Sequence, residues 1–253
     1  MKTLEDLLKD IDQKKEKIDR ARPLPKTILS KLTEYLDIEW TYNSNAIEGN
    51  SLTRQETMLI LKEGLTISGK SMREHLEATN HKNAIEYLND LLTKVEPITQ
   101  EDIKKIHHLI LEGIDNKYAG RYRDVEVYIT GSTYLPPKPI NLPDLMLDFS
   151  KWLVDQQENN KLHPVRFAAQ AHFKLVDIHP FIDGNGRSAR LLMNFILMKY
   201  GYPIAVFECE TERRKRYYSA LDSGHRGDLI PFEIMVAEFV DETANKYLDS
   251  IPK

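Results

Sequence analysis

His179-Pro180-Phe181-Ile182-Asp183-Gly184-Asn185-Gly186-Arg187-Ser188-Ala189-Arg190 brings a histidine, a carboxylate, a glycine-bracketed turn and two arginines into one short stretch. An apolar run, Leu191-Leu192-Met193 then Phe195-Ile196-Leu197-Met198, follows at once. Such a run of good helix formers reads as a buried helix, so the Gly-Asn-Gly turn sits at its N-terminus. The first N–H groups of a helix have no internal partner, and the macrodipole places roughly half a positive charge there. Such an end binds phosphate. Gly184 and Gly186 let an anion approach the backbone closely. Arg187 and Arg190 share a helix face, and arginine forks suit phosphate oxygens. Asp183 stands where a carboxylate could hold Mg²⁺ together with a phosphate. His179 is the natural proton acceptor. Taken singly, each feature has a plain alternative: a structural histidine before proline, an ordinary turn, solvated arginines. In this order, ahead of a buried helix, they point to phosphoryl or nucleotidyl transfer.

The stretch resembles the signature of the Fic family, His-Pro-Phe-x-(Asp/Glu)-Gly-Asn-Gly-Arg-x-x-Arg, at every specified position. The resemblance implies an all-α fold, a Fic-type helical bundle carrying one β-hairpin flap. It implies AMP transfer from ATP, with Mg²⁺, to a Tyr, Thr or Ser hydroxyl of a target protein. His179 would be the catalytic base and Asp183 the metal ligand. Gly184, Asn185, Gly186, Arg187 and Arg190 would bind the phosphates. Tyr217 or Tyr218, in the basic–aromatic run Arg213-Arg214-Lys215-Arg216-Tyr217-Tyr218, would contact adenine. A histidine near pKa ~6.5 cannot deprotonate a hydroxyl beforehand, so it would act during attack. Self-modification and a homodimer are compatible with this resemblance. Transfer of a different phosphate-containing group is compatible with the motif as well.

Working outward, Thr41-Tyr42-Asn43-Ser44-Asn45-Ala46-Ile47-Glu48-Gly49 places Ser44 and Glu48 four apart on one helix face, with Gly49 as a helix stop. Alone it is a short helix and cap at 44–49. Beside the signature it resembles the family's inhibitory motif, (Ser/Thr)-x-x-x-Glu-(Gly/Asn). Glu48 would then pair with Arg190 and hold the enzyme autoinhibited. In some relatives the same site also removes AMP, with the glutamate orienting water.

Gly64-Leu65-Thr66-Ile67-Ser68-Gly69-Lys70-Ser71 matches the P-loop pattern in full. A P-loop phosphotransferase is therefore a rival reading, with a non-catalytic nucleotide-sensing protein as another. A P-loop needs a buried strand before it, and residues 54–63 are charged and helix-like instead. Thr53 and Glu56 form a capping box for that helix, and Ser71 suits the N-cap of the next.

The remaining chain reads as helices over 4–18, 26–40, 71–94, 99–113, 142–158, 162–177 and 229–249. One region departs from this. Val125, Val127 and Ile129 alternate with Glu126 and Tyr128, Thr130-Gly131-Ser132-Thr133 is turn-like, and a β-hairpin is expected. By resemblance this is the flap, where Val127 and Ile129 border the base and the edge takes a target peptide by strand addition. His75, His81 and His172 read as structural. The expected organisation is an N-terminal helical segment, 1–40, and a Fic domain, 41–253.

The bounds agree. The 253 residues are 41% hydrophobic and 29% charged, with a net charge of −4, as suits a globular chain of one or two domains. That charge argues against nucleic acid as the main partner. The lone Cys209 excludes an intrachain disulfide and a Cys-rich zinc site. No apolar run approaches a membrane span of roughly 20 residues. Met1–Asp6 lacks a signal-peptide core, so a soluble, cytoplasmic protein is expected.

Overall fold

The computed structural model describes residues 2–129, 132–159 and 161–251. Among them are ten α-helices, a short 3₁₀ turn at Pro139–Asn141, and no strand. The helices are α1 (Leu4–Arg20), α2 (Lys26–Ile47), α3 (Arg54–Glu63), α4 (Met72–Leu92), α5 (Gln100–Leu111), α6 (Leu142–Asn159), α7 (Pro164–Ile178), α8 (Asn185–Lys199), α9 (Thr211–His225) and α10 (Ile230–Ser250).

Helix starts follow local chemistry. Thr3, Thr53 and Ser71 each accept from the backbone N–H three residues on, while Asp6, Glu56 and Glu74 reach back to the cap amides. These reciprocal bonds satisfy donors that a helix end otherwise orphans.

The centre is α8. Every residue from Arg187 to Leu197 is buried, and α8 contacts α7, α5, α4 and α2. Its C-terminal half, Leu191–Leu197, is apolar except for Asn194 and must be surrounded, while its buried arginines take partners from the chain. α10 packs on α7 and α9, and α1 packs on α10, so Leu4, Leu7, Leu8 and Ile11 join the same core as Leu191 and Phe195. Residue 40, where the N-terminal segment was expected to end, lies inside the unbroken α2. The stretch 44–49 is likewise the last turn of α2 and its stop at Gly49 (φ 98°), rather than a separate helix.

The P-loop match is a linker between α3 and α4, preceded by a helix. Its Lys70 bonds to the Ser51 carbonyl at 2.5 Å and its Ser71 caps α4. The alternation at Val125, Val127 and Ile129 gives no paired ladder among the described residues, and Thr130 and Gly131 lie outside them. The returning leg contains Pro136 and Pro137, which have no N–H to offer a ladder.

Candidate active site

The α7–α8 turn builds the site. α7 ends at His179, whose backbone is left-handed (φ 49°, ψ 56°). Among the described residues it is the only non-glycine with positive φ. That conformation costs of order 1–3 kcal/mol and persists only where its surroundings impose it. Here the His179 N–H donates to Leu175 (3.0 Å), and its carbonyl accepts from Arg123 Nε (2.9 Å). His179 Nδ1 lies 3.3 Å from the Val176 carbonyl. A proton on Nδ1 satisfies that contact and leaves the Nε2 lone pair for a substrate proton. Burial pushes the His179 pKa down to about 4; the Val176 contact opposes this and Arg123 adds to it. The imidazole is therefore neutral at neutral pH.

The loop between His179 and α8 is held from inside. Asn185 Oδ1 accepts from Phe181 N (2.9 Å) and Asn185 Nδ2 donates to Phe181 O (2.8 Å). The side chain of Asn185 is thus committed to the loop, and its backbone alone is left for a ligand. Phe181 stacks on His107 at 3.6 Å, and His107 Nε2 lies 2.9 Å from the Asp183 carbonyl. His107 Nδ1 accepts from Gly120 N at 2.9 Å, which fixes the donating proton on Nε2. Sequence reading passed over His107, because its partners lie 13 and 76 residues away. Gly184 caps α8 with φ 78°, and a Cβ there would press on Ile110 at 3.1 Å and His107. Glycine is required on both counts.

Three carboxylates and three arginines converge on the start of α8. Asp183 Oδ2 accepts from Arg73 (2.8 Å), while Oδ1 accepts from Gly184 N (2.6 Å) and Arg187 (3.2 Å). Burial would raise the Asp183 pKa, but Arg187, the Gly184 amide and Arg73 outweigh it and hold the carboxyl below its usual range. Buried Arg187 also pairs with Glu77 (3.3 Å), which binds Arg73 (3.1 Å) and Asn50. Glu77 and Arg73, both on α4, carry no sequence signal that connects them to the signature.

Arg190 is buried. Its Nε donates to Ser44 Oγ (3.0 Å), Nη2 to the Ser44 carbonyl (2.9 Å) and Glu48 Oε1 (2.7 Å), and Nη1 to Tyr217 Oη (3.3 Å). Burial alone would lower its pKa, but Glu48 and Tyr217 raise it. Glu48 also touches the first turn of α8, since a Cβ on Gly186 would collide with its Oε1. A carboxylate of the chain itself thus rests where an anion would bind.

These groups border one cavity of about 570 Å³, lined among others by Glu48, His179, Asp183, Gly184, Asn185 and Gly186. Its far wall includes Ile129, Ser132, Tyr218, Leu221 and His225. Ile129 lines it and Val127 does not. Tyr217 reaches the lining but is buried, with Oη bonded to Arg190 and to His172 Nε2 (3.1 Å). Tyr218 is partly exposed, its hydroxyl donating to Ile47 O. His172 and His81 are core residues, and His75 bridges Ser71 O and Ile67 N. Neither Arg187 nor Arg190 lines the cavity.

The Fic/DOC family model matches residues 97–197. A protein adenylyltransferase Fic of Nematostella vectensis is 38% identical over 97% of this chain and 56% of its own length. The chain spans about half the length of the curated relatives it matches. The solved Fic-1 (residues 134–508) of C. elegans superposes with a TM-score of 0.88 at 33% identity, covering 97% of this chain and 72% of that one. A Fic-domain signaling protein of Bacteroides thetaiotaomicron gives 0.89 at 28% identity, with 96% of each chain covered.

Proposed function

The chain belongs to the Fic/DOC family, and we propose that it transfers AMP from ATP to a Tyr, Thr or Ser hydroxyl of a target protein. The observation that carries this reading is one cavity lined by both His179, whose Nε2 has no hydrogen-bond partner among the described residues, and the N-terminal turn of α8. Its volume, about 570 Å³, falls in the range of small-ligand and cofactor sites.

The steps follow from the geometry. The amides of Asn185 and Gly186 hold the phosphates at the helix N-terminus, while Gly184, whose N–H is given to Asp183 Oδ1 (2.6 Å), leaves the approach open by lacking a side chain. His179 Nε2 takes the hydroxyl proton while the hydroxyl oxygen bonds to the α-phosphorus. The bond from that phosphorus to the bridging oxygen breaks and pyrophosphate leaves. A neutral imidazole is the form that can accept the proton. Asp183 fits a Mg²⁺ ligand: it is half exposed at the cavity wall, and Mg²⁺ suits one or two carboxylates plus phosphate oxygens. When bound, the metal would neutralise phosphate charge. Tyr218 and Ile129 border the space for the base.

Glu48 makes the ground state autoinhibited. It occupies Arg190 and crowds Gly186, so Arg190 cannot also clamp a γ-phosphate. Because Glu48 and His179 face one cavity, Glu48 could orient a water for AMP removal at the same site. The segment 124–137 is the flap along which a target strand lies. The test is incubation with α-labelled ATP, Mg²⁺ and a cell lysate, followed by mass spectrometry. Protein-bound AMP formed by the Glu48→Gly protein that disappears when His179→Ala is added is the expected result, and no AMP on any protein with Glu48→Gly overturns the reading.

A further inference from the structure

The segment after α5 shows no β-ladder among its described residues, yet it includes Ile129 and Ser132, which line the site. Something other than strand pairing must fix its position. Arg123 is only 3% exposed, although arginine is rarely buried without a purpose its partners explain. Its Nη1 donates to the Val125 carbonyl (3.0 Å) and its Nη2 to the Pro137 carbonyl (2.5 Å). Those two carbonyls bracket the whole crossing segment. Its third bond, from Nε, goes to the carbonyl of His179 (2.9 Å), and its own N–H donates to the Pro180 carbonyl (2.9 Å). One planar guanidinium with fixed donor directions therefore joins both legs of the flap to the backbone of the strained left-handed histidine.

We propose that Arg123 is a positioning residue that locks the flap and His179 into one unit, so that a hydroxyl presented along the flap arrives in register with His179 Nε2. The proposal rests on the AMP-transfer reading above. It adds that the base of the outgoing leg is joined to His179 through a single side chain. Ser132 Oγ to Asp222 (3.2 Å) and Tyr134 Oη to the Asp177 carbonyl (2.9 Å) tie only the returning leg, to α9 and α7. At the tip, Ser132 N donates to the Ile129 carbonyl (3.1 Å); among the described residues no other hydrogen bond besides those of Arg123 holds the outgoing leg, 124–129. Lysine has one point charge and cannot span three carbonyls, so Arg123→Lys keeps the charge and loses the geometry. Methionine loses both.

Electrostatics gives an independent readout. The charged groups acting on the His179 ring are Arg123, Glu48 and Asp183. Arg123 is the one of these that disfavours the imidazolium.

The experiment uses Arg123→Lys and Arg123→Met in a Glu48→Gly background, with melting curves to confirm folding. Backbone order parameters are read for 124–129, the His179 ring is titrated by NMR, ATP affinity is measured by calorimetry, and labelling of lysate proteins is followed with α-labelled ATP. Expected for Arg123→Lys are order parameters falling from about 0.85 to below about 0.6 and labelling at least ~10-fold lower, as roughly 1 Å of misplacement allows. ATP affinity should stay within about twofold, since Arg123 touches no phosphate-binding group. The His179 pKa should rise in Arg123→Met and stay put in Arg123→Lys. Unchanged order parameters and labelling in a folded Arg123→Lys protein overturn the proposal. If the Glu48→Gly parent labels nothing, the transfer reading fails on its own. The order parameters and the His179 titration still decide the coupling, and a rigid flap with an unmoved histidine refutes it. If Arg123→Met does not fold, Arg123→Lys alone carries the decision.

Discussion

Replacing Glu48 by glycine should make the protein less stable and more active. The loss of stability can be worked from the contacts. Glu48 pairs with Arg190 at 2.7 Å, but its side chain is 35% exposed, so solvent screens part of the attraction. Arg190 is not orphaned by the change, because Ser44 Oγ, the Ser44 carbonyl and Tyr217 Oη remain. The pair therefore contributes about 1–2 kcal/mol, below the ~3–5 kcal/mol lost when a fully buried charge is stranded. Glycine at the end of α2 adds roughly 0.5–1 kcal/mol through backbone entropy. The sum, about 1.5–3 kcal/mol, lowers the melting temperature of a chain this size by roughly 3–12 °C. Activity moves the other way. Removing the carboxylate frees an Arg190 fork for phosphate and clears the space beside Gly186. A shift of about 1 Å in the α-phosphorus is worth roughly a hundredfold in rate, so initial AMP incorporation should rise about 10- to 100-fold. Arg190→Ala controls for mere loosening: it also breaks the pair but leaves no clamp, so it should be unstable and not activated. The assay is the initial rate from α-labelled ATP, self-modification included, beside thermal melts of all three proteins. A Glu48→Gly protein no faster than wild type on any acceptor would show that Glu48 restrains nothing and that its bond to Arg190 is purely structural.

Three further outcomes are expected. His179→Ala should lose AMP transfer by at least ~100-fold while binding ATP nearly as well, because the imidazole handles the proton and other groups hold the phosphates; retained single-turnover labelling would remove the base role. Lys70→Ala should keep wild-type transfer and lose under ~1 kcal/mol of stability, since Lys70 ties the α3–α4 linker to Ser51 and pairs with Glu56, away from the cavity; a large activity loss in the folded variant would restore the P-loop reading. Stability should fall as pH drops from about 6.5 toward 4. Burial depresses the pKa of His179 and His107 to about 4, of His81 to about 3, and of His172 well below 6.5. Each takes up its proton in the unfolded chain first, so the stability these groups confer is present above 6.5 and lost below it, by about 1.4 kcal/mol per histidine per pH unit. Asp37, raised to about 6 by burial, opposes this in part. Melts between pH 7 and pH 4.5 check the sign, and a flat or rising melting temperature contradicts it.

Much of this protein is written locally. Helix existence and most boundaries follow from apolar spacing and from caps such as Thr53–Glu56 and Ser71–Glu74, because those bonds span three residues and are fixed by adjacent chemistry. The signature is legible for the same reason: histidine, turn, anion-binding helix end and arginines are consecutive, and the buried helix behind them orients all of them at once. The structure alone decides what lies far apart in the chain. Glu48 meets Arg190 across 142 residues, Arg73 meets Asp183 across 110, and Arg123 meets His179 across 56. No periodicity encodes such contacts; they exist because α2, α4 and the flap legs pack around α8. The expected hairpin shows no ladder among the described residues on similar grounds: alternation along one leg says nothing about whether the other has donors, and Pro136 and Pro137 there have none. Sequence set the chemistry available at the turn between α7 and α8, and packing around α8 set which carboxylate and which arginine each group there faces.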